Sequence, residues 1–77
     1  MYSQRNLSTE LGHILDGFAG ALDHARIADW AYKTYLHHAG DIDPNAKDLL
    51  IRLGTMSMGP EFELPEVELR AIAESNR

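Results

Sequence analysis

Apolar residues return every three or four positions through most of the chain, the spacing expected of helices that bury one face. Leu11, Ile14, Leu15, Phe18 and Leu22 carry that period through the first segment, which predicts a helix from about Ser8 to Ala19. Ser8 is placed to cap it, because a serine hydroxyl accepts a backbone N–H that the first turn leaves unpaired. Gly12 and Gly17 weaken the segment by about 1 kcal/mol each relative to alanine. Gly20 suits the left-handed residue that follows many helix ends.

The second segment carries the fullest set of signals. Asp23 can cap a helix that runs to about His38, and Gly40 can close it. His37 and His38 suit the negative end of the helix dipole. Ile27, Trp30, Ala31 and Tyr35 form one face, which Ala28, Tyr32 and Leu36 broaden. So wide a stripe predicts a helix central to the core, with Trp30 largely buried.

Pro44 fits the first position of a third helix with Asp43 as its cap, since proline needs no N–H there. Leu49, Leu50, Leu53 and Met56 extend the period to about Met58, and Gly59-Pro60 stops it. Glu61-Phe62-Glu63-Leu64 alternates polar and apolar, which predicts an extended segment that buries Phe62 and Leu64. From Pro65 to about Ser75 a short last helix turns Leu69, Ile72 and Ala73 inward, with Glu66 and Glu68 in its first turn. These elements predict an all-α fold: a single domain over residues 1–77, built as a compact bundle of about four short helices. Short connections predict that neighbours in sequence pack antiparallel.

A 77-residue chain has room for one core and no second. Cysteine is absent, so no disulfide or thiolate metal site supplements that core. This suits a reducing compartment, and the expected location is cytoplasmic. The N-terminal stretch lacks the basic-then-apolar pattern of a secretory signal, and no window has the roughly 18 apolar residues of a membrane span. Twelve acids against seven bases give a net charge of −5. That balance disfavours nucleic acid and anionic membranes as partners and favours a basic protein.

The tests for chemistry fail one after another. His37, His38, Asp41 and Asp43 lie close in sequence, but adjacent helical residues point about 100° apart and do not readily share one ion. Asp41-x-Asp43-x-Asn45 opens like a calcium loop. However, Ala46 and Arg52 stand where glycine and a bidentate glutamate are required. Ser8, Ser57 and Ser75 lie in no strand–turn–helix elbow, and no glycine-rich phosphate loop follows a strand. The chain has no Asp-Ser pair, which removes the attachment point of an acyl carrier. Arg26 and Lys33 alone, against Asp23 and Asp29, make the second helix a poor reader of DNA. The expectation is a protein without catalysis, cofactor or metal.

What remains is a surface. Glu61, Glu63, Glu66 and Glu68 form a stretch with no base among them, and Asp41, Asp43 and Asp48 form a second acidic group. Carboxylates around exposed aromatics speed docking onto a basic partner, and Tyr32 and Tyr35 are candidate anchors. The alternative is a structural domain that completes its core as a homodimer.

Two segments read together carry a resemblance. The first is Leu50-Ile51-Arg52-Leu53-Gly54-Thr55-Met56 with Gly59-Pro60-Glu61-Phe62-Glu63-Leu64 and Glu68-Leu69-Arg70-Ala71-Ile72-Ala73. The second is Ala28-Asp29-Trp30-Ala31. The combination resembles small, acidic, all-helical bacterial immunity proteins, which neutralise a co-encoded bacteriocin or contact-dependent toxin. Pro65 departs from the serine or aspartate more usual at a helix start. The resemblance implies a cytoplasmic inhibitor that occludes a basic toxin domain, and it transfers no defined binding residue.

Overall fold

The computed structural model describes residues 1–18 and 22–74 and contains four α-helices among them. They are α1 (Gln4–Asp16), α2 (His24–His38), α3 (Pro44–Gly54) and α4 (Glu66–Glu74). Two 3-10 turns, Thr55–Met58 and Pro60–Phe62, fill the connection between α3 and α4. The only β-type pairing among the described residues is a single parallel bridge between Tyr2 and Ile42. The all-α bundle expected from the sequence is the observed architecture.

Helix α1 starts four residues earlier than the apolar period suggests. Ser3 caps it: its hydroxyl accepts the Asn6 N–H at 3.2 Å, and its own N–H donates to the Asn6 side-chain carbonyl at 3.4 Å. Such a reciprocal pair satisfies two donors at once. Gly17 closes the helix by donating to the carbonyls of His13 and Ile14, both at 3.1 Å. Ser8 is therefore no cap. It lies buried inside α1, and its hydroxyl donates to the Ile72 carbonyl in α4. Leu22 falls beyond the helix and is partly buried against the core, whereas Ala19, Gly20 and Ser75 lie outside the described residues.

Helix α2 is capped as its sequence predicts, with the Asp23 carboxylate accepting the Arg26 N–H at 3.2 Å. Its buried face is narrower than the apolar stripe. Ile27, Ala28 and Ala31 are in the core, and Trp30 and Tyr35 pack only partly against it. Tyr32 and Leu36 face solvent, so they do not broaden the buried face. Trp30 sits at the edge of the core instead of its centre.

Helix α3 opens on Pro44 with Asp43 at the cap position, but the Asp43 side chain makes no capping bond. Its backbone N–H instead donates to the Tyr2 carbonyl at 2.8 Å, while the Tyr2 N–H donates to the Asp41 carbonyl at 3.0 Å. The turn between α2 and α3 thus grips the N-terminal segment. The α-helical part of α3 ends at Gly54 and tightens into the 3-10 turn that holds buried Met56.

The stretch after Gly59 is not extended. Pro60–Phe62 forms a second 3-10 turn, closed by the Phe62 N–H on the Gly59 carbonyl (3.0 Å) and the Glu63 N–H on the Pro60 carbonyl (3.1 Å). A turn does not alternate faces as a strand does. Leu64 packs against the core, but Phe62, expected inside, is 46% exposed.

The principal helix pairs are α2 with α3 and α1 with α4. Short connections therefore pair α2 with its successor, as predicted, but α1 pairs with the last helix rather than with α2. Between the two pairs runs one core built on Leu7, Leu11, Ile27, Leu50, Leu53, Met56 and Leu69. The Cα trace spans 33 × 28 × 17 Å, and its short axis matches about two helix layers at the usual 8–10 Å separation. In α4, Leu69 and Ala73 are buried and Ile72 packs on the core, as the period requires.

Candidate protein-docking surfaces

The acidic stretch from Glu61 to Glu68 is presented by the second 3-10 turn and the first turn of α4. All four glutamates are exposed. Two of them are tied to a neighbouring base. Glu63 approaches Nδ1 of His24 at 3.7 Å, and Nε2 of the same ring lies 2.6 Å from the Leu64 carbonyl. Glu66 takes the Nε–H of Arg70 at 3.1 Å, while Nη1 of Arg70 reaches Asp16 on α1 at 3.2 Å. Arg70 thus bridges α4 and α1 at the surface, and its hydrogen bonds to Asp16 and then Glu66 raise its pKa.

Two apolar side chains stand among these carboxylates. Phe62 lies between Glu61 and Glu63, and Val67, between Glu66 and Glu68, is 74% exposed. The alternating sequence pattern pointed Phe62 inward and so hid this feature. The signal that could have found it is Gly59-Pro60, which starts a turn where a strand would have to begin.

The second acidic group does not assemble as a surface of its own. Asp41, strongly exposed, lies 3.4 Å from the α-amino group of Met1, and Asp43 serves the Tyr2 carbonyl through its backbone. Asp48 lies on α3 in a shallow concavity with Gln4, Asn45, Leu49 and Arg52. Tyr32 and Tyr35 are elsewhere again. They line a groove of about 400 Å³ with Leu50, Ile51, Gly54, Thr55, Ser57 and Met58, and none of the seven predicted carboxylates is on its walls. Glu61, Glu63, Glu66 and Glu68 follow one another from the second 3-10 turn into α4, and none of them lines the tyrosine groove.

The chain matches no family model, no curated protein and no solved structure.

The histidines at the end of α2 are engaged with rings. The His38 imidazole stacks on Tyr2 at a centroid distance of 4.4 Å, and His37 meets His38 edge-on at 4.9 Å. Among the described residues, no three of His, Cys, Asp and Glu converge on a point that could hold a metal ion, and no helix is long and apolar enough to cross a membrane. A second concavity, of about 450 Å³, opens over Gly12 between Arg5, Thr9 and Asp16. It is shallow and lined mainly by one face of α1. The exposed features among the described residues are carboxylates, aromatic side chains and an apolar groove.

Proposed function

We propose that this chain is a non-catalytic protein-binding domain, most concretely a cytoplasmic immunity-like inhibitor that occludes a basic bacterial toxin. The observation that carries the reading is Phe62, 46% exposed and flanked in sequence by Glu61 and Glu63, with exposed Val67 five residues further on, between Glu66 and Glu68 at the start of α4. Carboxylates collect a basic partner from solution, and an aromatic anchor among them holds it once contact is made. Blockade is steric: the partner's site is covered, and no bond is made or broken.

The test uses the product of the gene adjacent to the one encoding this chain. Co-expression should relieve the growth inhibition that this product causes alone. The purified pair should form a complex whose association slows as salt rises. Absence of both rescue and complex would refute the assignment.

A further inference from the structure

Leu64 fastens the connection between α3 and α4 to the rest of the fold. It lies outside both the second 3-10 turn and α4, and Pro65 behind it keeps its backbone out of the helical region. Side chains therefore supply its backbone partners. Its N–H donates to Sδ of buried Met56 at 3.5 Å, and its carbonyl lies 2.6 Å from Nε2 of His24, the first residue of α2. The imidazole is mostly covered, with 21% of the side chain exposed.

The carbonyl fixes the tautomer of that ring. A carbonyl oxygen only accepts, so Nε2 carries the hydrogen. In the neutral ring Nδ1 then holds a lone pair, and Nδ1 is the atom that faces the Glu63 carboxylate at 3.7 Å. Two acceptors meet across this gap, and no hydrogen bond joins them. The imidazolium has a hydrogen on both nitrogens. It keeps the bond to Leu64 and can make a charge-assisted one to Glu63, whose exposed side chain need close the gap by only about 1 Å. The other charges around the ring act on its charge and not on this bond. Asp23, which caps the same turn through the Arg26 N–H, favours the cation, whereas the N-terminal end of the α2 dipole disfavours it. On α4, Glu66 is turned to Arg70, and the first 3-10 turn, Thr55–Met58, has no titratable side chain.

We propose that His24 is a proton-sensitive latch on the segment that presents Phe62: the neutral ring holds it at Leu64 alone, and the protonated ring holds it at Leu64 and Glu63. Phe62 lies two residues before Leu64, so the latch sets how firmly the aromatic side chain is kept outward. What this does to a partner rests on the toxin-binding reading. The latch itself does not, and its test needs only this chain. Amide exchange of the full chain, corrected for the intrinsic effect of pH on exchange, reads the latch at the Phe62, Glu63 and Leu64 N–H groups. Wild-type protection there should rise about two- to fivefold between about pH 8 and about pH 5, the size expected of an exposed ion pair with histidine. Glu63→Ala should keep the protection seen at the higher pH and lose the rise. His24→Gln, which retains an amide donor but does not titrate, should lose the rise and stay better protected than His24→Leu. Circular dichroism establishes that each variant keeps its helices, and if neither His24 variant folds, Glu63→Ala decides alone. Wild-type protection that ignores pH overturns the proposal. So does a rise that persists in Glu63→Ala, because another group then causes it, or a folded His24→Leu variant protected as well as the wild type.

Discussion

The Ser8 hydroxyl donates to the Ile72 carbonyl at 2.8 Å across 64 residues of sequence, joining the first helix to the last. Ser8 is only 3% exposed, and it is the single buried polar side chain among the described residues. A buried hydroxyl whose partner lies on another helix fixes how the two helices sit, because either group left unpaired costs its desolvation. Ser8→Ala should lower stability by about 1–2 kcal/mol. Urea denaturation checks this, and an unchanged midpoint would mean that the hydrogen bond contributes nothing net.

One turn along the same contact, Gly12 faces Ala73. A Cβ built on Gly12 would lie 3.8 Å from the Ala73 Cβ, which is ordinary van der Waals distance. Gly12 is in the interior of α1, where alanine is favoured by the smaller entropy it loses on folding. Gly12→Ala should therefore stabilise the domain by about 0.5–1 kcal/mol. A lower melting temperature would show that α1 and α4 approach more closely than this spacing allows.

Tyr2 links the N-terminal segment to the rest of the fold. Its hydroxyl donates to a Glu10 carboxylate oxygen at 3.0 Å, and only 5% of the residue is exposed. Burial first, and then the charge of Glu10 and the hydrogen bond to it, push the phenol well above its ordinary range. The folded state thus keeps a proton that the unfolded chain releases near pH 10. Stability from this group is complete below about pH 10 and declines as pH rises above it, where the folded chain binds more protons than the unfolded one. Absorbance titration should find one of the three tyrosines ionising last, and Tyr2→Phe should remove that late step and flatten the alkaline loss of stability. Three phenols titrating together near pH 10 would contradict the buried hydroxyl.

Local signals recovered the elements that local physics controls. The Asp23 cap of α2 and the inward face of α4 could be read directly, as could Pro44 at the start of α3, because each depends on residues within a turn of one another. What escaped depends on distant partners. Ser8 looks like a cap until Ile72, far along the chain, supplies its acceptor, and the true cap at Ser3 rests on the less familiar choice of Asn6 as reciprocal partner. Tyr2 gave no periodic signal, because its place is fixed by the backbone of Asp41 and Asp43. On α2, periodicity counted Tyr32 and Leu36 as core. Which part of the stripe is buried depends on how far α3 and the first 3-10 turn reach around α2, and they leave Tyr32 and Leu36 exposed. The acidic stretch was legible by composition alone, but its aromatic anchor was not, since Phe62 turns outward only through the 3-10 geometry after Gly59.

That outward turn gives the proposed toxin contact a kinetic signature with separable parts. Glu63 and Glu66 are engaged by His24 and Arg70, so reversing them would break those contacts as well as change the surface charge. Glu61 and Glu68 are the cleaner probes. Glu61→Lys with Glu68→Lys should slow association by about tenfold or more at low salt while leaving dissociation nearly unchanged, because rim charges act on encounter. The effect should fade near physiological ionic strength, where the Debye length is about 8 Å. Phe62→Ala should do the reverse. It leaves encounter alone and speeds dissociation, and it should shift folding stability by no more than about 0.5 kcal/mol, as expected for an exposed position. Surface plasmon resonance against the adjacent-gene product, run at two salt concentrations, measures both rates. If the charge reversal and Phe62→Ala change the same rate constant, steering and anchoring are not divided as the exposed Phe62 implies; if neither changes any, the acidic stretch serves only solubility.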